Sequence, residues 1–265
     1  MKNEKSTMIK KIYKQFWILG LGFLLLNCTQ EKNKDEVHQD AKPNSQSEYL
    51  LPGLDHGLLQ SPINILSKEA ATGVHTISLN FSGEIDKVEN LGHTVQLDLK
   101  PGNTITVDRR TFEYKQMHFH TPSEHLIDGI TYPMEMHVVN TLKDQQESET
   151  TEYLVLAFLV KMGEENKFIA HFIDQIPKEE GEVNEIDLNA LTDSKMSNAA
   201  NLLKELNSYY YYKGSLTTPP HTESVNWLVM KRIFEASPEQ ILRINEIEGD
   251  NARHIQARYE RDISE

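Results

Sequence analysis

The sequence predicts a mainly β (α+β) protein, with one sheet-dominated domain and a few short surface helices. Three observations carry this. Several segments alternate apolar and polar residues with period two, turn residues separate them, and helical spacing is scarce. At 265 residues the chain can bury a full core as one domain. Its net charge of −13 comes without a basic stripe, which argues against nucleic acid as a partner. The acidic balance favours solubility.

Taken in order, residues 1–27 read as a lipoprotein-type export signal. Lys2, Lys5, Lys10, Lys11 and Lys14 give a positive start, and residues 16–26 form an apolar run too short to span a bilayer as a helix. The only cysteine, Cys28, follows at the position where a bacterial lipoprotein box carries its lipidated residue. Asn27 departs from the small residue usual there, so a plain secretory signal with an incidental cysteine is the other reading. The first reading gives an exported, lipid-anchored protein of a bacterial cell envelope, on the periplasmic or surface side, with the membrane as a partner. Removing five lysines and one glutamate with the signal takes the charge from −13 to −17. Without a second cysteine the domain has no internal disulfide, and its stability comes from packing and metal. Residues 28–47 are polar and charged, and read as a disordered tether with an average reach of roughly 25 Å.

The domain spans 48–265. Residues 93–99 (HTVQLDL) alternate and predict a strand, and 104–107 (TITV) predict another after the turn Pro101-Gly102-Asn103. Residues 134–139 predict a third. Residues 153–162 (YLVLAFLVKM) read as a strand buried on both faces, although a helix of that length reads the same way. Residues 225–230 predict one more strand. Residues 198–206 carry apolar side chains at helical spacing. Ser237, Pro238 and Gln240 form a helix start: an N-cap, a proline at the first helical position, and a glutamine three after the cap.

The chemistry sits at residues 116–137. His118 and His120 are two apart, so a strand aims both imidazoles at one point, and a return strand can add His137. Three neutral imidazoles with one open position form the ligand set of a catalytic zinc site. Gln116 and Glu135 each stand two before a histidine. Each can therefore accept that ring's other N–H and fix its tautomer.

These residues resemble a known family. QMHFHTPSEH at 116–125 and EMHVV at 135–139 are similar to the zinc-binding stretches of the α-class carbonic anhydrases. QSPINI at 60–65, ENLGHTVQLDL at 89–99, GSLTTPP at 214–220 and NARHIQARYERD at 251–262 follow the same family in order. The resemblance implies a large central, mostly antiparallel twisted sheet and reversible hydration of carbon dioxide to bicarbonate and a proton. It implies Zn2+ on His118, His120 and His137. Thr217 would accept a hydrogen bond from the zinc-bound hydroxide, with its own proton given to Glu124, and Thr218 would contact bicarbonate. His93 would shuttle protons, as histidine exchanges them near neutral pH. Val139, Val155, Leu216 and Trp227 would form the apolar wall for carbon dioxide. A second copy of the chain is left open as a partner.

Three departures stand out. The cysteines that bacterial relatives often carry before QSPI and after TTPP are replaced by the stretch 54–56 and by His221, which predicts lower stability or a compensating contact. The aromatic segment usual ahead of QSPI is missing. Leu91 takes a place where asparagine often orders waters, which predicts slower proton transfer. Two other functions are weighed: a silent binding module and a zinc-delivery protein. The full ligand set argues against the first, and the lack of a histidine-rich tract against the second.

Overall fold

Alternation in the sequence becomes strand pairing in the structure. The computed structural model describes residues 57–73, 75–81, 84–146, 150–186 and 208–265, all within one unit, Pro52–Glu265. The export signal, the tether, Cys28 and the helix expected at 198–206 lie outside the described residues. Thirteen strands are seen among the described residues: β1 (Asn64–Ile65), β2 (Ile77–Asn80), β3 (Ile85–Asn90), β4 (Val95–Leu99), β5 (Thr104–Val107), β6 (Arg110–His120), β7 (Leu126–Ile127), β8 (Met134–Leu142), β9 (Tyr153–Met162), β10 (Val183–Glu185), β11 (Tyr209–Gly214), β12 (Val225–Met230) and β13 (Phe234–Ala236). A one-turn helix, α1 (Lys167–Ala170), and a longer one, α2 (Pro238–Glu248), complete the elements used below. No described helix is long and apolar enough to cross a membrane.

The main sheet runs β10-β3-β4-β6-β8-β9-β12-β11, with β5 also on β6, β2 on β5 and β13 on β9. Its pairings are antiparallel except those of β9 with β12 and β13, so the sheet is mixed on one side of β9. A separate parallel pair joins β1 to β7. β9 lies between β8 and β12 with both faces covered, which is why its sequence is almost unbroken apolar. Leu154, Leu156 and Phe158 enter one core with Leu97, Met117 and Val138. Val155, Ala157 and Leu159 enter the other with Ile63, Val139 and Trp227. The metal-ligand candidates project on this second face.

The strands expected at 104–107, 153–162 and 225–230 have those bounds, and the one expected at 134–139 runs on to Leu142. One expectation needs correction. Residues 93–99 were read as a single strand, but β4 begins at Val95. Gly92 and His93 instead form the two-residue tip of the β3–β4 hairpin. Gly92 takes φ +75, its N–H is capped by Asn90 Oδ1 at 2.9 Å, and Leu91 N–H meets Thr94 O at 3.0 Å. Glycine with φ > 0 at the first central position is what a tight hairpin of this type needs. At α2 the expected cap is complete: Ser237 accepts from Gln240 N–H, and the Gln240 side chain accepts from Ser237 N–H.

The missing disulfide has a compensating contact. Glu223, just past the TTPP turn, accepts from Leu59 N–H at 2.8 Å and from Gln60 Nε2 at 2.9 Å. Gln60 Nε2 also meets His221 O at 3.2 Å. One carboxylate thus ties the two segments together.

Candidate metal centre

Register places the three histidines. His118 on β6 lies directly opposite His137 on β8. Paired antiparallel residues share a face, and His120 joins them by the two-residue repeat. His118 Nε2 and His120 Nε2 stand 3.1 Å apart, and one ring nitrogen from each of the three lies within 4.8 Å of the others. Zn–N bonds of about 2.0–2.1 Å in a tetrahedron set ligand nitrogens roughly 3.3 Å apart, so this donor set fits the ion. Burial holds His118 well below the ordinary histidine range, with neighbouring His120 and His137 adding to it. Burial brings His120 down to about 4, against the pull of Glu135 and Asn251. Burial lowers His137 as well, despite Glu135. All three rings are neutral at pH 7, as ligands must be.

The orienting pairs stand where spacing put them. His118 Nδ1–H donates to Gln116 Oε1 at 2.7 Å, and His137 Nε2–H donates to Glu135 Oε1 at 2.7 Å. These bonds leave His118 Nε2 and His137 Nδ1 for the metal. Burial opposes ionising Glu135, yet His125 and His137 outweigh it and hold the carboxyl well below its usual range.

Glu124 is buried beside the triad, with Oε2 3.5 Å from His120 Nε2 and 4.0 Å from His137 Nδ1. Its Oε1 accepts from Arg253 N–H at 2.9 Å, while Oε2 makes no aligned hydrogen bond. The Thr217 hydroxyl is near enough to favour the charged form without aligning to it. Burial prevails and raises the pKa. A buried carboxylate oxygen without a partner, aimed at the triad, is what a bound cation would compensate.

A cavity of about 200 Å3 opens on two of the three histidines, lined by His118, His137, Thr217 and Thr218. Val139, Val155, Leu216 and Trp227 make its apolar side. Val139, Val155 and Trp227 come together because they face one another across β8, β9 and β12. His93 is not in that lining. It is exposed at the hairpin tip, its Nδ1 meets Leu91 O at 2.9 Å, and its charge is felt at His118.

The family model for eukaryotic-type carbonic anhydrases matches residues 48–264. The chain belongs to the α-carbonic anhydrase family. It is 39% identical over 205 residues to a carbonic anhydrase of Neisseria gonorrhoeae, covering 76% of this chain and 74% of that one. It is 32% identical to a carbonic anhydrase of Pectobacterium carotovorum, over 86% and 91% of the two. The α-carbonic anhydrase of Photobacterium profundum superposes with a TM-score of 0.68 at 34% identity, over 79% and 90%. The mostly β fold and the enzyme class are those of α-carbonic anhydrases, which are zinc enzymes.

Sequence reasoning passed over a buried network behind the carbonic anhydrase triad. Glu135 also accepts from His125 N–H at 2.7 Å and Nδ1–H at 2.6 Å. His125 Nε2 meets Tyr212 Oη at 2.6 Å, and Tyr212 Oη meets Ser61 Oγ at 2.9 Å. Ser61 exchanges two bonds with Ser215, at 2.9 and 3.1 Å. The line runs from the orienter of His137 to the loop bearing Thr217. Ser61, His125 and Ser215 lie in the family segments, which was the available signal; Tyr212 sits in a tyrosine run that gave none. Tyr153, half-buried in the cavity wall, was also missed.

Proposed function

We propose that this protein hydrates carbon dioxide reversibly, with zinc held by His118, His120 and His137. The observation that carries this reading is the convergence of three neutral rings, two of them oriented by Gln116 and Glu135 and lining a cavity half apolar and half polar. Zinc there supplies a Lewis acid that brings the pKa of a coordinated water toward neutrality, the recognised behaviour of zinc in carbonic anhydrases themselves.

The chain's own residues do the rest. The Thr217 hydroxyl both donates and accepts. With its proton directed to Glu124, it accepts at the reacting oxygen and turns a lone pair toward the substrate. Val139, Val155, Leu216 and Trp227 give apolar carbon dioxide a dry resting place. Thr218, exposed at the cavity edge, meets the bicarbonate product. His93 takes the released proton at Nε2, since Nδ1–H is committed to Leu91 O, and passes it to buffer through water. Leu91 orders no water with its side chain, so transfer is slower than with asparagine; Leu91→Asn without gain in buffer-limited kcat would count against this.

Stopped-flow hydration on residues 29–265, with metal content measured on the same sample, tests the whole reading. About one zinc per chain with fast hydration is expected, both lost in His118→Ala. Zinc without hydration would instead favour a binding module. We also propose export and lipid anchoring through Cys28, on the sequence alone. Cys28→Ala should release the protein from the membrane fraction, and an unchanged distribution would refute the anchor.

A further inference from the structure

One buried acid has no part in the reaction above. Glu248 is the last residue of α2, and its side chain lies under the turn that carries His93. Its Oε2 is 3.4 Å from both Thr94 Oγ1 and Val95 N, and its Oε1 is 3.0 Å from Thr121 Oγ1. Thr94 directly follows His93 and Val95 opens β4, while Thr121 follows the end of β6.

We propose that Glu248 is a positioning residue for the proton-relay histidine, its carboxyl joining the start of β4 to the end of β6 and so fixing where the hairpin tip presents His93. This rests on the reading of His93 as the relay. The ring is exposed, and its Nδ1 bonds Leu91 O, two residues away on the same turn. Its position relative to the metal site is therefore that of its backbone. Asn251 Nδ2 ties the same two chain ends, at 2.8 Å to His93 O and 3.1 Å to Phe119 O. Thr94 Oγ1 donates to Phe119 O at 2.8 Å as a third side-chain tie, and of the three the Glu248 carboxyl reaches both Thr94 and Val95 from α2.

The donors and acceptors around Glu248 suit a neutral acid. Thr94 has one hydroxyl proton, and Phe119 O at 2.8 Å is its better acceptor. Thr121 has Gly249 O at 3.0 Å as an alternative acceptor and receives Asn245 Nδ2 at 3.1 Å. An ionised carboxylate would be left with Val95 N–H and, at best, the Thr121 proton, at a helix C-terminus where negative charge is disfavoured. Burial accordingly pushes the Glu248 carboxyl up to about 8, and the Thr121, Val95 and Thr94 bonds offset only part of that. As an acid it donates to a threonine oxygen and accepts from Val95, a satisfied and rigid joint.

The test separates hydration from proton export, using the zinc-loaded protein in dilute buffer. For E248L, kcat is expected to fall by about tenfold, a fraction of the roughly 10²–10⁴-fold that a placed proton-transfer group contributes in full. Added imidazole should restore kcat, and kcat/KM should stay within about twofold, because the step at the metal is untouched. E248Q, which donates and accepts as the neutral acid does, should keep wild-type kcat. H93A should show the same loss, and the double variant should be no worse than either single one. Thr94→Val removes the acid's partner on the hairpin and carries the same prediction should E248L not fold. Wild-type kcat in E248L or Thr94→Val beside a defective H93A overturns the proposal, as does an equal loss in kcat/KM. An H93A with undiminished kcat overturns the relay reading itself, and this proposal with it.

Discussion

His120 is neutral because it is buried, and that neutrality has a cost in acid. Its folded-state pKa of about 4 lies below the ordinary value of 6.5, so the unfolded chain takes up the proton first as pH falls. The stability this ring contributes is complete above about pH 6.5 and is lost as pH falls toward 4, about 3 kcal/mol at roughly 1.4 kcal/mol per pH unit. His118 and His137 are shifted the same way and add to the loss. The Tm of metal-free protein should drop between pH 7 and pH 5, and a flat Tm over that interval would contradict the assignment. At the same scale, Gln116 holds His118 by one bond on the open side of the site. Gln116→Leu should weaken zinc binding by about 10–100-fold in competition with a chromophoric chelator. Unchanged affinity would show that the bond does not orient the ligand.

Elements turn these residues into a site. β6 and β8 pair so that His118 meets His137, and a slip of one residue would send the return strand's histidine to the opposite core. The loop after β11 is held just as closely. A Cβ on Gly214 would collide with Ser61 Oγ and crowd Trp227 Cδ1 and Tyr212 Cε2 at 2.9 Å. Gly214→Ala should therefore part Ser61 from Tyr212 and displace the loop bearing Thr217. We expect a loss of about 1–3 kcal/mol, of the order of overpacking a full core, together with a fall in kcat/KM. A variant as stable and active as the parent would show that the network does not reach the loop. The long strands were legible because strict alternation or an unbroken apolar run marks them. The start of β4 was not, since His93 and Thr94 continue the alternation while Gly92 turns the chain.

For the whole molecule, Glu223 replaces a covalent tie with hydrogen bonds. Glu223→Ala leaves Leu59 N–H and Gln60 Nε2 without their acceptor, which should cost about 1–3 kcal/mol, or roughly 2–4 °C of Tm for each kcal/mol in a domain of this size. An unaltered Tm would mean that the two segments are held by packing alone. The sequence by itself determined the β-rich fold, the three histidines that cluster, the Gln116 and Glu135 partners of two of them, and the family. Those signals are local: a two-residue repeat, a capping box, short motifs in order. Only the tertiary structure decided the line from Glu135 through His125 and Tyr212 to Ser61, the Glu223 tie and the place of Glu248. Each joins residues far apart in the chain, and a buried polar group finds its partner through the fold, which no spacing along the sequence records.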